Sequence, residues 1–121
     1  MKLTRITHNG VACAVLSGTE PVLTDAQAML DALMTAAYEC GTKNLVVDKR
    51  QLTPDFFILS TGVAGEMLQK LVNYGGRIAI YGDFSRYTSK PLHDFIYESN
   101  RGGTVFFATS QEEAIALLTN A

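Results

Sequence analysis

Apolar and polar positions along the chain follow first the period of strands and then that of helices. Residues 3–8 and 11–16 are two strand-like runs, and Asn9-Gly10 between them is the dipeptide most typical of a two-residue hairpin turn. Farther along, apolar positions recur at helical spacing in four segments, with short apolar runs between them. The predicted helices lie between a capping box at residues 24–27 and Gly41, over residues 61–73, over residues 89–99, and after a second capping box at residues 110–113. The predicted later strands are residues 45–47, 77–81 and 104–108.

The resulting order is β-β-α-β-α-β-α-β-α. Strands that alternate with helices indicate an α/β fold with a mostly parallel, mixed sheet and helices packed on it, to which the opening hairpin adds an antiparallel pair. At 121 residues the chain has the size of a single domain, residues 1–121. Its 47% of hydrophobic residues are enough for a core that needs no disulfide.

Composition narrows the class of protein. The net charge of −2 and the absence of a basic run argue against nucleic-acid binding. No segment approaches the roughly 20 apolar residues of a membrane span, and the first residues lack the apolar stretch of a signal peptide. Cys13 and Cys40 have no metal-ligand spacing, so we expect two reduced thiols in a cytoplasmic protein with no metal and no cofactor.

Residues 82–90, a segment rich in polar side chains, directly follow a predicted strand. Open α/β sheets bind ligands beyond the carboxyl ends of their strands, and Arg and Lys side chains hold anions there. Serine and threonine hydroxyls in the same segment supply further donors. The candidate binding residues are Asp83, Ser85, Arg86, Tyr87 and Lys90, joined by Arg101 farther along.

A structural interpretation of the same segment stays open. Asp83 and Ser89 are residue types that cap turns and helices. Arg86 in turn could pair with Asp83 or with Glu98. In that case, several of the polar groups serve the loop itself.

Residues 55–57 are a second candidate surface. Phe56 and Phe57 are consecutive rings after Pro54 and Asp55. Consecutive residues of a strand or helix point in different directions, so one hypothesis places a ring on the surface, where it suits contact with a partner protein. The alternative is that both rings cover the core.

Four short segments resemble the STAS domain, the fold of anti-sigma-factor antagonists and of the cytosolic tails of anion transporters. They are Leu45-Val46-Val47-Asp48, Ser60-Thr61-Gly62 before an apolar helix, Gly75-Gly76-Arg77 before a strand, and Ser110-Gln111-Glu112-Glu113-Ala114. The resemblance implies a STAS-like topology. It also implies phosphorylation of Ser60 or Thr61, because the phospho-acceptor serine of those regulators occupies the matching place.

Two points bear on the predicted phosphorylation: this chain departs from the pattern of the STAS regulators, and the same hydroxyls have an alternative structural role. Those regulators have Asp directly before the serine-containing turn, whereas this chain has Leu59. A helix N-terminus favours negative charge and so suits a phosphate. The alternative is that Ser60 or Thr61 is simply an N-cap, worth about 1 kcal/mol.

Longer strings resemble an uncharacterised bacterial family, the domain-of-unknown-function 4180 family. They are Asp55-Phe56-Phe57, Leu59-Ser60-Thr61-Gly62, Gly65-Glu66, Leu68-Gln69-Lys70, Asn73-Tyr74, residues 82–90 and residues 94–102. The likeness spans almost the whole chain and implies no established activity.

No catalytic residue is assigned. His93 and Asp94 are adjacent in a predicted helix, so they point to different sides, and the chain has no G-x-S-x-G nucleophile elbow. The leading hypothesis is a non-catalytic STAS-like regulator that acts by protein contact, with a homodimer as one expected form. The alternative is a protein, or an enzyme, that binds a small anionic ligand through Ser85, Arg86, Lys90 and Arg101. An exposed Phe56 or Phe57 would favour the first, and a concave site where Arg86 meets a hydroxyl would favour the second.

Overall fold

A computed structural model describes residues 1–120. Over this range the chain forms one five-stranded sheet and four α-helices, and the predicted α/β fold class is confirmed. The strands are β1 (Leu3–His8), β2 (Val11–Leu16), β3 (Asn44–Asp48), β4 (Arg77–Tyr81) and β5 (Val105–Ala108). The helices are α1 (Ala26–Cys40), α2 (Val63–Asn73), α3 (Lys90–Arg101) and α4 (Gln111–Thr119). Three short 3-10 turns, Lys49–Gln51, Pro54–Phe57 and Leu59–Thr61, connect β3 to α2.

The sheet has the strand order β1-β2-β3-β4-β5, with β1 antiparallel to β2 and the other pairs parallel. The predicted hairpin is present. Asn9 and Gly10 both have positive φ, 54° and 75°, which the tight turn between twisted strands requires. The likeness to the STAS topology in particular stays a prediction.

The core has one layer on each face of the sheet. On one face, Leu45 and Val47 pack in a cluster that takes in α1, α2 and α3. On the other, Val46 packs in a cluster with α4. Because successive strand residues point to opposite faces, residues 45–47 of this central strand are all apolar, as their continuous run predicted.

Several helix ends differ from the sequence prediction. The carboxylate of Asp25, not the hydroxyl of Thr24, caps α1 by accepting a hydrogen bond from the Ala28 N–H at 2.8 Å. Helix α2 begins at Val63 rather than at residue 61, because Gly62 adopts a left-handed conformation after a separate 3-10 turn. Ser89 caps α3 as predicted, but α3 continues two residues past the predicted end.

The register places two loops side by side. Asp48, the last residue of β3, pairs with Tyr81, the last residue of β4, so the segments that follow these strands leave the sheet at the same edge. This carboxyl edge is where parallel sheets bind ligands. None of the helices in residues 1–120 has the length and apolar character needed to cross a membrane.

Candidate functional site

The segment after β3, residues 48–51, is built around a buried carboxylate; we refer to it as the 48–51 turn. Asp48 is only 6% exposed, and its carboxylate accepts a hydrogen bond from the backbone N–H of Arg50 at 2.9 Å. It also accepts from Nε and from one terminal nitrogen of the Arg50 guanidinium, the latter at 2.7 Å. The ion pair therefore fixes one edge of the guanidinium and leaves the other edge toward solvent.

Gln51 holds the 48–51 turn to the sheet. Its side chain, 1% exposed, accepts a hydrogen bond from the Asp48 N–H at 2.8 Å and donates one to the Leu16 carbonyl at 3.1 Å. Its own carbonyl accepts from the N–H groups of Val22 and Leu23. Lys49 and Arg50 thus project from a backbone that is fixed on both sides.

Two neighbouring groups at this edge, Asp48 and Tyr81, have pKa values that are shifted in opposite directions. Burial alone would raise the pKa of Asp48, but the hydrogen bonds and charge of Arg50, with the charge of Lys49, outweigh burial and lower the pKa below its usual value. Burial and the nearby Asp48 charge raise the pKa of Tyr81. At neutral pH, Asp48 is therefore ionised and Tyr81 carries its proton.

Lys49 links the 48–51 turn to the next loop, residues 82–90, hereafter the 82–90 loop. Its aliphatic stem crosses Gly82 so closely that a Cβ there would lie 2.7 Å from the Lys49 Cγ. Its ammonium donates a hydrogen bond to the Asp83 carbonyl and lies 4.9 Å from the centre of the Tyr87 ring. The absence of a side chain at position 82 is what lets Lys49 lie there.

Aromatic rings attach the 82–90 loop to the core. Tyr87 stacks on Phe57 with ring centres 5.2 Å apart. Phe84 meets Phe107 edge-on at 5.4 Å. These contacts, typical in distance for aromatic pairs, fix the path of the loop.

The polar groups of this loop mostly serve the loop itself. The Asp83 carboxylate accepts hydrogen bonds from the Ser85 N–H at 2.9 Å and from the Ser85 hydroxyl at 2.6 Å, and these lower the pKa of Asp83. The Ser89 hydroxyl caps α3. The structural interpretation of Asp83 and Ser89 is confirmed.

The three cations expected to form a site are not gathered at one point. Lys90 forms an exposed ion pair with Asp94 at 2.7 Å, and Arg101 lies over the Tyr97 ring at 5.6 Å. They occupy opposite ends of α3, about 16 Å apart along a helix that rises about 1.5 Å per residue. Arg86 is exposed and has no ion pair with any described residue, so the pairing with Asp83 or Glu98 is not seen.

The hypothesis of an exposed ring at residues 55–57 is wrong. Phe56 is 0% and Phe57 6% exposed, and the rings meet edge-on at 5.1 Å. The 3-10 turn Pro54–Phe57 directs both of them inward, so they cover the core, as the alternative predicted. Asp55 is exposed, and the exposed apolar side chain of this region is Ile58, at 52%.

Ser60 and Thr61 differ in their contacts. The Thr61 hydroxyl lies 2.8 Å from the carbonyl oxygens of both Asp55 and Ile58, and it accepts a hydrogen bond from the Val63 N–H at 3.3 Å. Ser60 is exposed, and its hydroxyl has no hydrogen-bond partner in residues 1–120. Thr61 therefore serves the turn, and Ser60 stays free for modification.

A cleft of about 350 Å³ opens between the 48–51 turn, the 82–90 loop and the segment before α1. Two cations and mainly apolar side chains line it: Thr19, Pro21, Lys49, Arg50, Leu52, Pro54, Phe57 and Tyr87. The Arg50 side chain is 60% exposed, and its second terminal nitrogen has no partner within the described chain. The cleft thus presents free N–H donors at the carboxyl edge of the parallel strands.

Of the residues that line the cleft, the candidates predicted from the sequence include Phe57 and Tyr87 but not Lys49 and Arg50. A signal was present, because two consecutive cations directly follow a continuous apolar strand. Open α/β sheets bind ligands beyond the carboxyl ends of their strands, and this holds for the segment after β3 as well as for the segment after β4. No group of three His, Cys, Asp or Glu side chains within residues 1–120 is arranged to hold a metal ion.

Comparison with known proteins gives a family. The family model described as "Domain of unknown function (DUF4180)" matches residues 8–118, which include every residue that lines the cleft. No curated protein and no solved structure matches the chain.

Proposed function

The chain belongs to the DUF4180 family, a domain of unknown function, and on that premise we propose that it binds a small anionic ligand in the cleft between the 48–51 turn and the 82–90 loop. One observation carries the proposal. Arg50 presents the free edge of its guanidinium, beside the Lys49 ammonium, in a concave space at the carboxyl ends of parallel strands. Such edges are the usual ligand sites of open α/β sheets.

The rigidity of the site supports this proposal. The buried Asp48 and Gln51 fix the backbone that carries both cations, and Asp48 also orients the guanidinium. Binding then requires little ordering of side chains, and that ordering is a main cost of association. An arginine held in this way offers planar donors to a carboxylate or a phosphate.

A matched pair of lysine variants tests the proposal. We expect Lys49→Met to weaken binding of benzoate or inorganic phosphate about tenfold or more, whereas Lys90→Met, which removes an exposed lysine outside the cleft, leaves it unchanged. Isothermal titration calorimetry of both anions with the full chain measures this. Arg50→Met and Arg101→Met form a second pair with the same expectation. Equal losses in both members of each pair would contradict the proposal, as would no binding of either anion.

A second candidate, regulation by protein contact, is supported by a different observation. Ile58 is half exposed, and it lies close in sequence to Ser60, whose hydroxyl is free of partners among the described residues. A phosphate on Ser60 would place about two negative charges beside an apolar contact and so would change a partner's affinity. Mass spectrometry of the protein from its native host, under several growth states, tests this, and an unmodified Ser60 throughout would contradict it.

The expected homodimer belongs to this second candidate. Light scattering coupled to gel filtration, on the unmodified chain and on Ser60→Glu, measures the mass in solution. A mass of one chain, about 13.2 kDa, in both samples would remove the homodimer from the proposal.

A further inference from the structure

We infer that the ligand of the cleft is a monocarboxylate carried on a small, flat, apolar body such as an aromatic ring. The inference rests on the proposed function and adds the chemical class of the ligand to it. Three features of the cleft lead to it: its walls, its balance of charge, and the geometry of its free donors.

The walls of the cleft are apolar and flat. Leu52 and Phe57 form its buried side, and Pro21 and Pro54 lie on its rim. Tyr87 stacks on Phe57, so an aromatic surface faces the space. At about 350 Å³, the cleft is near the lower end of the range of ligand sites, about 300–1,000 Å³. A small ring fits such walls better than a sugar or an extended polar chain, whose hydroxyls would meet few partners.

The balance of charge favours a single negative charge on the ligand. The two cations that line the cleft are Lys49 and Arg50. Arg50 is already paired with the Asp48 carboxylate, whereas Lys49 has no ion pair with a described residue. Two cations against one carboxylate leave about one positive charge for a ligand.

Two more carboxylates are next in sequence to residues that line the cleft. Glu20 and Asp55 are sequence neighbours of the residues that line the cleft, and both are exposed. A phosphate monoester carries about −1.5 to −2 at pH 7, so these groups repel it more than they repel a carboxylate.

The free donors have the geometry that a carboxylate needs. Asp48 occupies Nε and one terminal nitrogen of Arg50, which leaves the edge formed by the two terminal nitrogens for a second, bidentate acceptor. Lys49 adds a single ammonium held in place by the Asp83 carbonyl and the Tyr87 ring. A carboxylate can therefore meet Arg50 with both oxygens while its apolar body lies toward Phe57.

Four probes of one size class test the inference with the full chain. Benzoate has the ring and one charge, benzyl alcohol the ring without charge, phenyl phosphate the ring with a larger charge, and acetate one charge without the ring. We expect benzoate to bind at least about tenfold more tightly than each of the other three, as measured by NMR titration. Arg50→Lys keeps the charge but loses the planar fork, so it should weaken benzoate binding about tenfold.

Each other outcome has a distinct meaning. If phenyl phosphate bound more tightly than benzoate, the inference that the ligand is a monocarboxylate would be wrong, but the proposal of an anion site would stand. If acetate bound as tightly as benzoate, the inference that the ligand carries an apolar body would be wrong. Unchanged benzoate affinity in Arg50→Lys would overturn the bidentate geometry. Failure of benzoate, acetate and phenyl phosphate alike to bind would overturn the proposed function and the inference with it.

Discussion

The 48–51 turn and the 82–90 loop follow neighbouring parallel strands and are both rich in polar residues, yet different contacts hold them to the rest of the fold. In the turn, two buried polar side chains hold the structure: Gln51 hydrogen-bonds to the distant Leu16 carbonyl, and Asp48 holds Arg50. In the loop, the polar side chains bond to residues close in sequence, as Asp83 does to Ser85, and aromatic rings make the long-range contacts.

This difference shows which kind of polarity indicates a site. The loop has more polar residues than the turn, but Asp83, Ser85 and Ser89 are used by the loop's own turn and by the cap of α3. The turn has fewer polar residues, but it holds a cation with free donors on a rigid base. Unused donors in a concave space are a better indicator of ligand binding than the count of polar residues.

The largest expected effect tests the aromatic attachment of the loop. Phe57→Ala removes a buried ring that contacts both Phe56 and Tyr87, and it should lower the free energy of unfolding by about 3–5 kcal/mol. Urea unfolding measures the change. The exposed Tyr97→Ala is the control, with an expected change within about 0.5 kcal/mol. A loss of less than about 1 kcal/mol in Phe57→Ala would show that the rings are not what holds the loop.

The next effect tests the buried network of the turn. Gln51→Ala leaves the Asp48 N–H and the Leu16 carbonyl without partners, and it should cost about 2–3 kcal/mol in the same unfolding experiment. Gln69→Ala removes an exposed glutamine that bonds to Asn73, with an expected change within about 0.5 kcal/mol. If the two variants lost a similar free energy of unfolding, buried polar groups would stabilise the fold no more than exposed ones do.

The carboxylate of Asp48 gives a smaller effect that depends on pH. The pKa of Asp48 is lowered in the folded chain, so its ionised form contributes stability that is present above its usual value of 3.8 and is lost as the pH falls through the lower folded-state value. Asp48→Asn should therefore cost about 1–2 kcal/mol at pH 7, and the difference from the unchanged chain should shrink below about pH 4.

The matched control for this prediction is Asp94→Asn. Asp94 forms an exposed pair with Lys90 on α3, for which a contribution below about 0.5 kcal/mol is expected. Unfolding curves at pH 7, 5 and 3 give both series. A difference for Asp48→Asn that stays constant across these values would contradict the role of the Arg50 pair.

The smallest effect is expected at the loop's free cation. Arg86 is exposed without an ion pair in the described chain, so Arg86→Ala should change the free energy of unfolding by no more than about 0.5 kcal/mol. It should leave the affinity for benzoate within about twofold, because Arg86 does not line the cleft. A tenfold loss of benzoate affinity in Arg86→Ala would indicate that the anion binds at Arg86 of the 82–90 loop instead.

The parts of the fold that local patterns decide could be predicted from the sequence. The hairpin at Asn9-Gly10 and strand β4 have the predicted bounds, because turn chemistry and a short apolar run determine them. The start of α2 could not be predicted, because Gly62 and the preceding 3-10 turn compete with the helix for residues 59–62.

The site could be predicted only in part. Phe57 and Tyr87 are candidates from the sequence, but Lys49 and Arg50 have the appearance of an ordinary polar end of a strand until the fold brings them beside Tyr87. The burial of Phe56 and Phe57 depends on a 3-10 turn that no periodicity reveals. Neither outcome is visible in the local pattern of apolar and polar positions.

The central claim is that anions bind through Lys49 and Arg50, in the cleft between the 48–51 turn and the 82–90 loop, rather than through Arg86, Lys90 and Arg101. The most direct test is a titration of the ¹⁵N-labelled full chain with benzoate, in which the shift of each backbone amide is followed. The account predicts saturable shifts at Lys49, Arg50, Leu52 and Tyr87, with little change at Lys90 and Arg101. Shifts confined to Arg86 and to α3, residues 90–101, or no saturable shift anywhere, would contradict it.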